Sequence, residues 1–300
     1  MIMVVISGGI GNQLQQFAYG YSLSKEKKMP LILDLAWFKS NNILNKSNGS
    51  YTGPCLLQKI MGDKNLFIVK NAFTARFLRL IFRLVHFFSF GICGYSNIQL
   101  ASPFKIPKLS KASNYFINGT PNNLNFFKKN IPSIVKKFIT PGKKESSKIK
   151  IGIHVRKGDY TKSILDVCTR KYYLRALKLI LKKKKLKKKD IELLIFSSKD
   201  NNWCKDNINF KNIKKKIIIG NIKSTIKDLT TMMTCSHFII PNSSFSWWAA
   251  QYVDHINKGV IVGPDLWWDR VPAKKINIYN KNWLIVKTGF KINKNSQYKY

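Results

Sequence analysis

The segment His154-Val155-Arg156-Lys157-Gly158-Asp159-Tyr160 carries two cations, a carboxylate, a glycine and an imidazole in one short run. Cations, a carboxylate and a glycine so close together suit the handling of a phosphate, whose charge Arg156 could neutralise. The alternating residues 148–153 before it read as a strand running into the fold. Its charged end then falls where open α/β sheets hold ligands, outside the carboxyl ends of the strands.

A second run, Pro241-Asn242-Ser243-Ser244-Phe245-Ser246-Trp247-Trp248, places small polar residues between a predicted strand and a predicted helix. Asn242, Ser243, Ser244 and Ser246 offer side-chain donors beside the free amides of a helix start, a ready anion site. At least one of Trp247 and Trp248 reads as core. Near the beginning, Ser7-Gly8-Gly9-Ile10-Gly11-Asn12-Gln13 joins the first predicted strand to the first predicted helix. The glycines allow close backbone approach to a ligand. A GxGxxG dinucleotide fingerprint fails, because its third glycine is replaced by Leu14, although Asp34 ends the next strand at a suitable distance. The amides of Asn12 and Gln13 suit sugar hydroxyls, with helix capping by Asn12 as the alternative. After strand 191–196, Ser198 and Asp200 stand where a ribose or base could be bound.

These segments need a frame. The second half alternates regularly: helix 170–189, strand 191–197, a short helix near 201–207, strand 216–220, helix 224–234, strand 236–240, helix 244–253 and strand 259–263. That order implies a parallel sheet covered by helices. The first half opens with strand 2–7 and helix 14–28, has a Ser/Asn/Gly-rich loop over 39–60 and a further strand at 115–119. The polar stretch 140–147 breaks the periodicity, so the domains are drawn as 1–147 and 148–300.

Apolar residues make up 45% of the 300-residue chain, a globular composition. The net charge of +39 invites anionic partners, whether nucleotide sugars, nucleic acid or a membrane face, although a lysine-rich bias can also reflect AT-rich coding. The lysines of 182–189 read as a solvated helix end, with a nucleic-acid or lipid patch as the alternative. Cys55, Cys93, Cys168, Cys204 and Cys235 lack paired spacing, which argues for a reducing, cytoplasmic setting rather than a disulfide or zinc framework. The opening residues read as a buried strand and not as a signal peptide. Residues 77–95 are too interrupted by Arg79, Arg83 and His86 for a membrane span. With Arg76 they form one face of a basic amphipathic helix, read as packed on the core, with a membrane-surface helix as the alternative. No DxD or HExxH motif indicates a metal.

The Gly8–Gln13, His154–Tyr160 and Asn242–Trp248 motifs together resemble those of the bacterial α-1,2-fucosyltransferases, glycosyltransferase family 11. The Ser198/Asp200/Trp203 segment and the Asp228, Cys235 and His237 lead-in are similar to further motifs of that family. The resemblance implies a GT-B architecture, α/β with two Rossmann-like domains facing a cleft. It further implies GDP-fucose as donor, a β-galactoside-containing glycan as acceptor, inversion at the anomeric carbon and no cofactor or obligatory metal. The first domain would then be the acceptor side and the second would bind GDP-fucose. Arg156 would hold the β-phosphate, and Lys157 stands where a second arginine is commoner, keeping charge without the bidentate fork. Asp159 is the first choice for base, with His154 as alternative and Asn12 as an orienting group. Gly9, Gly11, Gln13, Lys157, Tyr160, Ser198, Asp200, Asn242, Ser243, Ser244, Phe245, Ser246 and Trp247 would line the substrates. Peripheral contact with the anionic inner face of the cell membrane fits the charge, and nucleic acid is not an expected partner. The rival readings are a GT-B fucosyltransferase of another linkage or acceptor, and a non-catalytic basic protein binding nucleic acid or membrane.

Overall fold

The structure, a computed structural model, describes residues 1–38, 53–61, 67–88, 95–100, 114–121, 123–141, 148–161, 163–197, 201–210, 212–220 and 224–290. The chain divides into two compact units, Met1–Thr140 and Pro141–Tyr300.

The first unit runs β1 (Ile2–Val5), α1 (Ile10–Lys27), β2 (Leu31–Asp34), α2 (Leu57–Met61), β3 (Phe67–Val69), α3 (Ala72–Phe88), β4 (Tyr95–Leu100), β5 (Asn114–Gly119) and α4 (Ile131–Phe138). Its sheet has the order β3-β2-β1-β5-β4, every pairing parallel. β1 is apolar throughout because it lies at the centre of the sheet. α1 ends at Lys28, whose left-handed backbone (φ 54°) returns its N–H to the Ser24 carbonyl. α2 falls inside the span read as loop, since its few residues are too short for a periodic signal.

Asp34 does not await a ribose. It is buried, accepts from the Ala36 amide at 3.0 Å and forms an ion pair with Arg79 of α3. Arg79 therefore turns inward and leaves the basic face on which its spacing had set it. α3 departs from expectation on its other side as well. Ala75 is buried against Met3, Ala36 and Phe116, yet Phe73, Phe77, Leu80, Leu84, Phe87 and Phe88 are exposed.

The second unit runs β6 (Ile149–His154), α5 (Arg170–Lys184), β7 (Ile191–Ser197), α6 (Asn201–Asn207), β8 (Lys214–Ile219), α7 (Thr225–Met232), β9 (His237–Ile239), α8 (Ser244–His255), β10 (Ile261–Pro264), an antiparallel pair β11 (Leu266–Trp268) and β12 (Val271–Pro272), and β13 (Leu284–Val286). The main sheet has the order β13-β10-β9-β6-β7-β8 and is parallel throughout. Gly152 is required in β6, because a Cβ there would meet Phe238 at 2.2 Å. α5 stops at Lys185 (φ 52°), and Lys182 to Lys185 are solvent-exposed. Buried Asp254 of α8 ties down the end of the unit, accepting from Asn280, Asn282 and the Trp283 indole at 2.6–2.8 Å.

Both sheets reverse their winding beside their first strand. In the second unit the chain goes from β6 outward through β7 and β8, then returns to place β9 on the other side of β6. In the first it goes from β1 through β2 and β3 before β5 is laid against β1. Each reversal opens a crevice at the strands' carboxyl ends, where ligands bind in such sheets.

Candidate active site

Register fixes what meets at the crevice of the second unit. Ile153 of β6 pairs with Ile239 of β9, so the chain leaving β6 through His154 and Arg156 runs beside the chain leaving β9 into Asn242 and Ser243. Two contacts tie these loops together. The Arg156 guanidinium lies over the Tyr160 ring, 4.8 Å from its centroid, and the Tyr160 hydroxyl donates to the Asn242 carbonyl at 3.3 Å. The His154 and Phe245 rings meet edge to face, 5.7 Å apart.

Asn242 is the bracket of this arrangement. Its amide donates to the carbonyls of Leu165 (2.9 Å) and Trp267 (2.8 Å), and its oxygen accepts from the Cys168 thiol at 3.7 Å. Ser243 follows in extended backbone as the residue capping α8, and its buried hydroxyl has no partner among the described residues. A buried hydroxyl beside the first amides of a twelve-residue helix is a donor set suited to an anion.

Several residues read as substrate contacts have their side chains occupied by the protein. Asn242 is spent on backbone carbonyls, and Ser246 is fully buried with its hydroxyl turned to the Ser243 carbonyl at 3.4 Å. Trp247 is fully buried and donates its indole N–H to Ile278 at 2.7 Å, packing edge to face on Trp248. Both tryptophans are core, as large rings at a helix start are when the helix covers a sheet. Lys157 pairs with Asp166 at 2.5 Å and lies 5.1 Å over the Trp203 ring, so its charge is partly committed. Arg156, Ser244 and Phe245, on the same two loops, are partly buried.

His154 is not suited to the role of base. Burial, reinforced by the nearby Arg156 charge, lowers its pKa to about 3, and its Nδ1 has no partner among the described residues. An imidazole so hard to protonate is a poor proton acceptor near neutrality. His237 likewise serves the fold, its Nδ1 accepting from Val260 at 3.0 Å, with burial lowering its pKa to about 4. The Asp159 side chain, Ser198 and Asp200 lie outside the described residues. Asp228 accepts from Ser224 at 2.9 Å, and burial raises its pKa.

In the first unit, the glycine loop leaves β1 at the corresponding crevice. Gly8 is left-handed (φ 69°) and a Cβ there would lie 3.3 Å from the Asn12 amide nitrogen. Gly9 caps α1, so Asn12 sits one turn inside the helix and does not cap it. Gln13 is fully buried and internal: it donates to the Gly8 carbonyl at 2.8 Å and accepts from the amides of Leu56 and Leu57 at 3.0 Å each. It therefore braces the loop against the start of α2 rather than offering itself to a sugar. Gln16, which is not among the residues read as substrate contacts, does the same work across the crevice. It accepts from the Ser7 amide at 2.8 Å and donates to the hydroxyls of Ser7 (3.0 Å) and Thr120 (3.1 Å). Gly11 is buried, while Gly9 and Asn12 keep partial exposure.

The sequence matches the profile of Glycosyl transferase family 11 over residues 1–287. The chain belongs to glycosyltransferase family 11. Its relatives include the alpha-1,2-colitosyltransferase of Escherichia coli, 26% identical over 303 residues that cover 95% of this chain and 98% of that protein. The O-antigen biosynthesis glycosyltransferase WbnK of Escherichia coli is 24% identical over 302 residues, covering 88% of this chain and 93% of that one. Among solved structures, the fold is similar to that of a mutant Arabidopsis thaliana FUT1 in complex with GDP, with a TM-score of 0.50, 10% identity and coverage of 87% of this chain and 69% of that one. At that identity the likeness concerns the fold alone. The family 11 chain is thus an α/β protein of GT-B type and a glycosyltransferase. Among the described residues no group of three or more His, Cys, Asp or Glu is gathered as a metal site.

Proposed function

We propose that this family 11 enzyme moves L-fucose from GDP-fucose to a hydroxyl of a β-galactoside-containing glycan, forming an α-1,2 linkage with inversion. The observation that carries the reading is the Arg156–Tyr160–Asn242 chain, which sets a guanidinium beside a helix start with an idle serine hydroxyl. A nucleoside diphosphate is the leaving group such a site suits, since cations and helix amides there meet charge as it develops. In this reading the second unit binds the donor and the first offers the acceptor side.

The acceptor oxygen attacks the anomeric carbon as the bond from that carbon to the β-phosphate oxygen breaks. The electron pair of that bond leaves with GDP, and the transition state is oxocarbenium-like. Arg156 and the α8 amides with the Ser243 and Ser244 hydroxyls take up the phosphate charge; removal of one such preorganised donor typically costs about 10²–10³ in rate. Asp159 accepts the hydroxyl proton, a contribution of about 10²–10⁴. Asn12, partly exposed at the glycine loop, orients the acceptor. Protein cations and amides meet the phosphate charge in this scheme without a metal.

A second donor deserves a parallel assay because one relative is named a colitosyltransferase. Colitose is fucose without its 3-hydroxyl, so the two donors present the same phosphates to Arg156. The experiment is to incubate the enzyme and chelator with GDP-fucose or GDP-colitose and a panel of β-galactosides, then to determine the linkage. An α-1,2-fucosylated galactoside supports the proposal. Transfer of colitose alone, another linkage, or loss of turnover on chelation would each displace part of it.

A further inference from the structure

We infer that α3 docks this enzyme on an anionic lipid surface, lying in the plane of the interface with its outer stripe among the acyl chains. The stripe is built by spacing. Phe73, Phe77, Leu80, Leu84 and Phe87, with Phe88 beside the last, recur at steps of three and four. At about 100° per residue such positions share one face of the helix. All six are exposed, Phe73, Phe87 and Phe88 by 71–74%. Phe73 and Phe77 stack at 6.2 Å, so the patch is contiguous at its start. Soluble monomers rarely present so many large apolar side chains together.

The stripe faces out because the helix is anchored on its other side. Arg79 pairs with buried Asp34 at the end of β2, and Ala75 packs on Met3, Ala36 and Phe116 of the sheet and its edge. The small alanine lets the helix lie close to the sheet, leaving the aromatic residues no core to enter.

Charge decides the occupant. α3 contains three arginines and no acidic residue. Arg76 and Arg83 are exposed and fall about a quarter-turn from the centre of the stripe, where side chains meet headgroups when a helix lies flat. The net charge of +39 opposes self-association through this face and favours an anionic surface. At 17 residues, three of them arginine, α3 is an interfacial helix; no helix among the described residues is long and apolar enough to cross a membrane.

The test is co-sedimentation of the full chain with phosphatidylcholine vesicles, with and without about one-third phosphatidylglycerol. The first variant carries Phe77→Gln, Leu80→Gln and Leu84→Gln together, which removes apolar area and keeps every charge. Wild type should bind the anionic vesicles, and the triple variant should bind them at least about tenfold more weakly, with unchanged circular dichroism. A separate Leu84→Trp reporter, read against brominated lipid in a background whose own tryptophan signal is subtracted, should be quenched on binding. An Arg76→Glu/Arg83→Glu variant should also lose binding. Equal binding by wild type and the triple variant, or an unquenched reporter, would reduce the effect to general charge and overturn the inference. So would a triple variant that turns an oligomer into a monomer without change in vesicle affinity, which would make a second copy the occupant.

Discussion

The guanidinium of Arg156 rests 4.8 Å above the ring of Tyr160, and the hydroxyl of that same tyrosine is bonded to the backbone of Asn242. One residue thereby fixes the cation from one loop against the helix start supplied by another. Tyr160 is a positioning residue in this account, and its ring and its hydroxyl do separable work.

Substitution can separate them. Tyr160→Phe keeps the platform and loses only a 3.3 Å hydrogen bond, so kcat should stay within about threefold of wild type. Tyr160→Ala removes the platform and should lower kcat/KM for the donor by about 2–30-fold, the range expected for a cation–π contact. Steady-state kinetics with donor varied at saturating acceptor reads the difference. An unchanged Tyr160→Ala enzyme would mean that Arg156 needs no support.

Asn242 should be felt in stability. Asn242→Ala deletes the donors to Leu165 and Trp267; the Leu165 carbonyl keeps the Val167 amide, and the buried Trp267 carbonyl loses its partner. The cost should be about 1–3 kcal/mol, seen as a lower urea midpoint with an unchanged slope. Activity should fall as well, since the α8 start moves with its bracket.

Protonation gives a third expectation. The folded pKa of His154 is about 3 and that of His237 about 4, both below the ordinary histidine value near 6.5. The unfolded chain therefore binds protons first as pH falls. Stability from keeping these rings neutral is intact above about pH 6.5 and is lost progressively down to the folded values, by at most about 1.4 kcal/mol per pH unit per ring. Chemical denaturation between pH 7.5 and 4.5 follows the decline, and imidazole NMR shifts assign it. A His154 ring that titrated near 6.5 in the folded enzyme would contradict its burial.

Gln16 tests the other unit. Gln16→Leu leaves the Ser7 amide without its acceptor and frees the Thr120 hydroxyl, so the glycine loop should loosen. If the first unit serves the acceptor, KM for acceptor should rise several-fold while KM for donor changes little. The reverse pattern would assign the loop to the donor.

The frame of the second unit was legible because strands rich in Ile and Leu alternate with helices of ordinary length, and β7 and α6 fall where periodicity puts them. The motifs were legible as chemistry but not as geometry. Residue type marked Gln13, Asn242 and Ser246 as polar groups near a ligand, yet only the fold reveals that their hydrogen bonds are spent on backbone. Arg79 shows the same gap: helical spacing put it on a solvent face, and a buried carboxylate 45 residues away drew it in. The apolar side of α3 was read as core-facing, with a membrane-surface helix as the alternative, because an apolar stripe at helical period looks the same whether it is covered or exposed.

The central claim is that Arg156 meets the phosphate charge of the departing nucleotide. Its most direct test is the kcat of Arg156→Ala with GDP-fucose and a saturating β-galactoside, measured beside thermal unfolding of the same sample. The account predicts a fall of about 10²–10³ in kcat with the unfolding midpoint unchanged, because a partly exposed guanidinium contributes little to the core. A kcat within about tenfold of wild type in a folded variant would contradict it.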